Sequence, residues 1–254
     1  MRILLTNDDG IHAPGIHALY RTLCSLGEVY LVAPERPRSA AGHAITLHKP
    51  LRLTAQTVAD GIPGHGCSGT PSDCVSLGLE VILEGRCDLV VSGINAGANL
   101  GWDLTYSGTV AAAIEGAILK IPSMAISVTL EGGADIFDFA PAAEFAAELA
   151  VRMHQNPLPE NTLLNVNVPA ISRSELQGVE VTHQGKREYF DRIDARTDPT
   201  GRPYYWLGGS LREETPDPGS DVHAVLSNRI SVTPVHLDMT AYSLIERVAG
   251  WELG

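Results

Sequence analysis

Two adjacent carboxylates, Asp8 and Asp9, end the apolar run in LLTNDDGIHAPG, residues 4–15. Like charges that close repel, and they persist only with a cation, a shared proton or full solvation. Consecutive strand residues point to opposite faces. The pair can therefore share a ligand only in a turn past the end of the strand, and Gly10 supplies the backbone freedom for that turn. Two outcomes stand open: a ligand site built on both carboxylates, or a solvated Asx-rich loop.

Three further stretches carry chemistry of the same kind. SGINAGANLG (92–101) sets Asn95 and Asn99 among glycines. Their amide oxygens can coordinate a hard metal, or their side chains can hold the loop through Asx turns. In TYSGTVAAAIEG (105–116), Ser107, Gly108 and Thr109 fall at a helix start, where free backbone N–H groups and the helix dipole suit a phosphate. Ser107 can equally serve as a plain N-cap. APERPRSAAGHAITL (33–47) places Ser39 and His43 in a small-residue loop, with Ser39 available to a metal or a phosphate. Gly93, Gly97, Gly101 and Gly108 crowd into residues 93–108, more than loop packing alone calls for.

The elements that must position these residues read as repeated βα units. RILLT (2–6), EVYLVAP (28–34), DLVVSGI (88–94), SMAISVT (123–129) and TLLNVNVPA (162–170) are strands with almost no polar alternation. Strands of that kind are buried on both faces of a helix-covered parallel sheet. GIHALYRTLCSLG (15–27), residues 70–83, residues 109–120 and residues 141–156 read as helices; Pro14 suits a first turn and Gly27 a C-cap. The start T-P-S-D at 70–73 is a capping box. Residues 44–58 look extended with turns, 223–240 strand-like, and 242–251 a closing helix. The polar, turn-rich segment 183–223 is expected to be an arm, a hairpin or a dimerisation element. The four candidate stretches all lie at strand–loop or loop–helix junctions, and in a parallel sheet such junctions gather on the carboxyl edge.

Composition narrows the partners. The 254 residues are 44% apolar, enough for a sizeable core, and carry 18 Lys+Arg against 30 Asp+Glu, a net charge of −12. Broad contact with a nucleic-acid polymer is not expected of such a chain. Small anions remain accessible if a metal supplies positive charge. Cys24, Cys67, Cys74 and Cys87 form no CxxC pair, and MRILLTNDDG turns polar too early for a signal peptide. Free thiols in a reducing cytoplasm, and no membrane span, are the expectation. There is no GxGxxG after the first strand, no GxxxxGK[ST], no HExxH and no GxSxG. The only lysines, Lys49, Lys120 and Lys186, lie outside the candidate loops. A phosphate site here points to metal-assisted hydrolysis in preference to ATP-dependent transfer.

LLTNDDGIHAPG, SAAGHAITL, GTPSDCV, SGINAGANLGWDLTYSGTVAAAIEG, LLNVNVP and ISVTP, in this order from residue 4 to 234, resemble the signature blocks of the SurE family, the stationary-phase survival 5'/3'-nucleotidases. The resemblance implies a Rossmann-like α/β fold, a mostly parallel sheet flanked by helices. A catalytic core over 1–170 would carry a smaller, partly extended C-terminal region, 171–254, whose arm at about 183–223 joins subunits into a homodimer or homotetramer. It implies a metal-dependent phosphomonoesterase for nucleoside monophosphates, with a broader phosphatase or exopolyphosphatase, or a non-catalytic nucleotide-binding protein, as alternatives. By motif, one Mg²⁺ or Mn²⁺ per subunit would be held by Asp8, Asp9, Ser39 and Asn95. Phosphate would lie against Ser107, Gly108 and Thr109, with Asn99 nearby. Asp8 or Asp9, with Asp8 favoured, would act on the attacking water, and His12 and His43 are candidate proton donors for the leaving alcohol. Two departures, Ala111 where glycine is common and NRISVTP at 228–234, touch none of these residues.

Overall fold

A computed structural model describes residues 1–129, 138–190, 193–211 and 216–251. Positions 191–192 and 212–215 of the expected arm, and 252–254 at the end of the C-terminal region, lie outside the described residues. The core is a nine-stranded mixed sheet assembled around β1 (Arg2–Thr6). From β1 the chain passes through α1 (Pro14–Leu23) to β2 (Glu28–Pro34), which pairs parallel with β1 on one side. After β3 (Leu53–Thr57), β4 (Pro63–Cys67) and α2 (Pro71–Leu77), the chain returns as β5 (Leu89–Ala96) on the other side of β1, again parallel. The direction of winding thus reverses between β1 and β5. That reversal opens a crevice outside their carboxyl ends, the usual ligand position of an open α/β sheet.

The sheet continues through α3 (Gly108–Ile118), β6 (Ser123–Thr129), α4 (Ala140–Gln155) and β7 (Thr162–Pro169), with β5, β6 and β7 parallel. Alternation along β1 divides the core. Ile3 and Leu5 join the cluster under α1 and α4, and Leu4 joins the one under α2, with Val75 and Ala112. Both faces are covered, which is why the strands read as unbroken apolar runs.

Beyond residue 170 come β8 (Val179–Val181), β9 (Tyr189–Phe190), β10 (Ile193–Thr197), β11 (Pro203–Leu207), β12 (Ser210–Leu211), α5 (Asp221–Leu226), β13 (Ile230–His236) and α6 (Ile245–Ala249). β13 lies antiparallel to β7, with β8 parallel at its outer side, so the C-terminal region completes the main sheet as well as extending from it. β10 and β11 form an antiparallel hairpin exposed at every residue, and β9 pairs with β12.

Four expectations change, the first at α1, which is capped at Cys24 so that Gly27 lies three residues beyond its end. Residues 223–240 are not strand throughout: Ser220 caps a short helix by accepting from the N–H of His223, and the strand begins only at Ile230. Residues 44–58 are extended with bends, as expected, with a strand at Leu53–Thr57; its partner β4 carries no apolar pattern in PGHGC that a sequence reading could use. A Cβ at Gly64 would lie 3.0 Å from the Leu31 side chain, so it is the close packing of this strand that glycine serves. The helix over 70–83 is α-helical only to Leu77 and then widens into a π-helical turn, Gly78–Ile82, closed by Leu83 N–H to the Gly78 carbonyl at 2.9 Å. The closing helix over 242–251 is a 3₁₀ turn followed by the short α6. Among the described residues, no helix is long and apolar enough to cross a membrane.

Candidate active site at the carboxyl edge of the sheet

The turn after β1 is built by Asn7. Its side chain accepts from Gly10 N–H at 3.1 Å and donates to the Gly10 carbonyl at 3.0 Å, while Gly10 takes φ +97°. The left-handed region favours glycine there. This Asx-closed turn lets Asp8 and Asp9 leave strand geometry and reach two walls of one crevice. Asp8, only 4% exposed, accepts from the hydroxyl of Thr109 in the first turn of α3. Asp9 accepts from Ala96 N–H at 3.2 Å, at the end of β5. The Asp8 carbonyl accepts from Arg38 N–H at 2.7 Å, which binds the loop bearing Ser39 to the same turn. That loop is fixed again by Gly42 N–H donating to the Tyr106 carbonyl at 3.0 Å.

Electrostatics set this pair apart. Burial pushes the Asp8 carboxyl up to about 6, the Asp9 charge adds to the rise, and the Thr109 hydroxyl opposes it. Burial also raises Asp9, against the Ala96 hydrogen bond. Among the described residues, neither carboxylate is ion-paired with a lysine or arginine. Two crowded acids lacking a cationic partner, facing an amide and a hydroxyl, form a hard-oxygen set of the kind that Mg²⁺ or Mn²⁺ prefers. No three His, Cys, Asp or Glu side chains converge among the described residues, so a metal held here draws on neutral oxygens as well. Asn95 qualifies: a register shift between Ser92 and Asn95 re-aims the end of β5. Asn95 donates through Nδ2 to the Gly97 carbonyl at 2.9 Å, and its Oδ1 has no hydrogen-bond partner among the described residues. Ser39 is exposed, in the loop anchored at Arg38 and Gly42.

At the start of α3 the hydroxyls are already engaged. Ser107 accepts from Val110 N–H at 3.1 Å as N-cap, and Thr109 donates to Asp8. What remains for an anion is the backbone N–H of Gly108, with that of Thr109 shared with the Asp8 carboxylate; neither has an acceptor within the helix. Gly108 has to be glycine: a Cβ there would lie 2.7 Å from the Asp8 Cβ and 2.9 Å from its Oδ2. The carboxylate and the helix start are thus in direct contact.

The remaining expected residues fall further out. Asn99 is 6% exposed and tied to the sheet: its Nδ2 donates to Ser127 Oγ at 2.7 Å, its N–H to Asn167 Oδ1 at 2.8 Å, and its carbonyl accepts from Asn165 and Asn167. Its present work is to anchor the 97–105 loop. His12 is exposed beside the carboxylate turn. His43 is paired with Glu115 at 2.8 Å, and Glu115 also accepts from Ser76. Glu115 lies about two turns along α3 from Ser107, so His43 is drawn along that helix and away from its start.

Sequence reasoning missed the anchors Asn165 and Asn167, and Asp221, whose Oδ2 accepts from Gly101 N–H at 2.8 Å. Two polar residues at i and i+2 in the otherwise apolar LLNVNVP share one sheet face and could have signalled the first two. A groove of about 510 Å³ between α4 and β8–β13, floored by Phe145, Leu149 and Ile230, contains none of the expected site residues.

The chain matches the family model described as Survival protein SurE over residues 3–191. It is 49% identical over 253 residues to the 5'-nucleotidase SurE of Geobacter sulfurreducens, covering 100% of this chain and 94% of that protein. Against the 5'-nucleotidase SurE of Symbiobacterium thermophilum the identity is 50% over 254 residues, covering 99% and 98%. The crystal structure of the SurE protein from Aquifex aeolicus superposes with a TM-score of 0.85 at 43% identity, covering 98% of this chain and 99% of that one.

Proposed function

The chain belongs to the SurE family, and from that premise we propose that it is a divalent-metal-dependent nucleotidase hydrolysing nucleoside 5'-monophosphates to nucleoside and orthophosphate. One observation carries this: the buried Asp8 carboxylate, crowded by Asp9, touches the open start of α3 at the point where the sheet reverses its winding. A phosphomonoester needs an anion cradle and a counter-charge in one place: the start of α3 would supply the cradle, and the neighbouring oxygen ligands would hold the cation that supplies the charge.

Asp8, Asp9, Asn95 Oδ1 and Ser39 Oγ would hold the cation. When bound, Mg²⁺ or Mn²⁺ would supply Lewis acidity toward the phosphoryl oxygens and make water easier to deprotonate. The protein's own groups do the rest. The N–H groups of Gly108 and Thr109 grip the non-bridging phosphate oxygens and align the ester for in-line attack. Asp8, fixed by the Thr109 hydroxyl, takes the proton of the attacking water; Asp9, fixed by Ala96 N–H, holds the opposite wall. His12 is free to approach the leaving alcohol as its proton donor, whereas His43 is already engaged with Glu115.

In this reading, residues 1–170 form the catalytic core and 171–254 the region that joins subunits. The exposed hairpin β10–β11 bears Tyr205, Trp206 and Leu207 on its surface, which suits a homodimer or homotetramer in the cytoplasm. The net charge of −12 disfavours a nucleic-acid polymer as partner.

Phosphate release across 5'- and 3'-nucleoside monophosphates, polyphosphate and p-nitrophenyl phosphate, with Mg²⁺, Mn²⁺ or EDTA, tests the proposal. Fastest release from a 5'-monophosphate, abolished by EDTA, is expected. Equal rates on every ester would make this a broad phosphatase, and nucleotide binding without release would make it a binding protein.

A further inference from the structure

Asp221 is fully buried, lies outside the proposed active site, and is held entirely by backbone donors. Its Oδ2 accepts from Gly101 N–H at 2.8 Å, and its Oδ1 accepts from Gly185 N–H and from Val222 N–H, each at 2.8 Å. Gly101 and Gly185 belong to chain segments far apart in sequence, and the carboxylate bridges them. The two backbones meet so closely that side chains are excluded. A Cβ on Gly101 would lie 3.0 Å from the Gly185 carbonyl oxygen, and one on Gly185 would lie 2.8 Å from Asp221 Oδ1.

The grip extends along the same strip of chain. Gln184 Nε2 donates to the Gly101 carbonyl at 2.8 Å. Arg187 and the Tyr189 hydroxyl both donate to Asp103 Oδ2, at 2.8 and 2.7 Å. What they grip leads directly into the phosphate cradle. Gly101–Thr105 is a 3₁₀ coil, Tyr106 N–H donates to the Asp103 carbonyl, Ser107 N–H donates to the Leu104 carbonyl, and Ser107 then caps α3. This run of short-range hydrogen bonds links Gly101 to the N-cap of α3. Two residues before Gly101, the chain is separately fixed at Asn99 by Asn165 and Asn167.

We propose that Asp221 is a positioning residue for phosphate binding: through Gly101, and with Gln184 beside it, it sets the register of the 101–107 coil and hence the aim of the α3 start. The base of the C-terminal arm is by this means part of the active-site frame. The inference rests on the phosphomonoesterase reading above. It predicts a particular split: substrate affinity depends on Asp221, and metal affinity does not, because Asp8, Asp9 and Asn95 are fixed by other contacts.

The test is steady-state kinetics of Asp221→Asn and Gln184→Ala on a nucleoside 5'-monophosphate at saturating Mn²⁺. Mn²⁺ binding by electron paramagnetic resonance and hydrogen exchange across 99–107 are measured on the same samples. Asp221→Asn keeps the shape but turns a donor toward one backbone N–H, and should raise KM about tenfold; Gln184→Ala should raise it about threefold. Mn²⁺ affinity should stay within about twofold of wild type, with exchange faster at 99–107 than in β1 or β5. Unchanged KM in a folded variant, with only the active fraction reduced, would overturn the proposal and leave Asp221 a purely structural residue. If Asp221→Asn does not fold, Gln184→Ala decides alone by the same criterion. If the wild-type protein releases no phosphate, the functional reading fails, and exchange at 99–107 still decides whether Asp221 holds the coil.

Discussion

Asp8, just past β1, and Asp221, at the start of α5, are both nearly sealed from solvent, yet their surroundings differ in kind. Asp221 meets three backbone N–H groups. Asp8 meets the Thr109 hydroxyl, the backbone N–H groups of Thr109 and of Asp8 itself, and a neighbouring carboxylate. A buried carboxylate surrounded by donors is complete and joins chain segments together. One whose donors do not offset its burial beside a like charge is held above the usual carboxylate range, and in the proposed reading a cation supplies the positive charge. In the proposed reading, the contrast separates a positioning carboxylate from a metal-holding one without appeal to motif.

Exchanging the charge at each place should break the comparison most sharply. Asp8→Asn should lower phosphate release about a thousandfold or more while leaving the melting temperature of the EDTA-treated protein unchanged or raised, since a repulsion is removed. Wild-type turnover in that variant would end the assignment. Asp221→Ala should do the opposite to the fold: it strands buried N–H donors and should cost about 3 kcal/mol of stability in urea unfolding. A loss below about 0.5 kcal/mol would mean that water replaces the carboxylate without penalty.

Acid titration sharpens the contrast further. The Asp8 pKa rises from 3.8 to about 6 on folding. The folded protein therefore binds the proton more tightly than the unfolded chain does. The stabilisation from that proton is complete below about 3.8, declines as pH rises through the window, and is gone above about 6. A shift of about 2 units corresponds to at most ~3 kcal/mol, read as the difference in stability between wild type and Asp8→Asn without metal. Saturating Mg²⁺ should suppress the dependence, and a flat difference between pH 4 and 7 would show that Asp8 is not the titrating group. The smallest effect is expected of Thr109→Val, which removes one hydroxyl donor at nearly constant volume and should lower kcat/KM about fivefold. An unchanged value would mean that Asp8 is positioned without Thr109.

Legibility in the sequence followed the range of the interactions. β1, β2, β5, β6 and β7 were readable because a strand buried on both faces has to be apolar throughout, and α1 and α4 because one face of each must be. The carboxyl-edge cluster followed from topology: once the βα repeat is recognised, Asp8, Asp9, Asn95 and the Ser107–Thr109 start fall on one rim. β4 was hidden because PGHGC is chosen for close packing against Leu31 and Gln56, a property of space rather than of local pattern. α5 was hidden because a six-residue helix barely completes a period, and its clearest mark is the Ser220 cap. Asp221 was invisible because two of its three donors are distant glycine amides, Gly185 and Gly101, the latter 120 positions upstream.

The central claim, that the Asp8–Asp9 turn holds a divalent cation, is tested most directly by Mn²⁺ titration of the metal-stripped protein, wild type and Asp8→Asn in parallel. One ion per chain bound by wild type and lost in Asp8→Asn is the predicted result. Equal Mn²⁺ binding by the two proteins would contradict it.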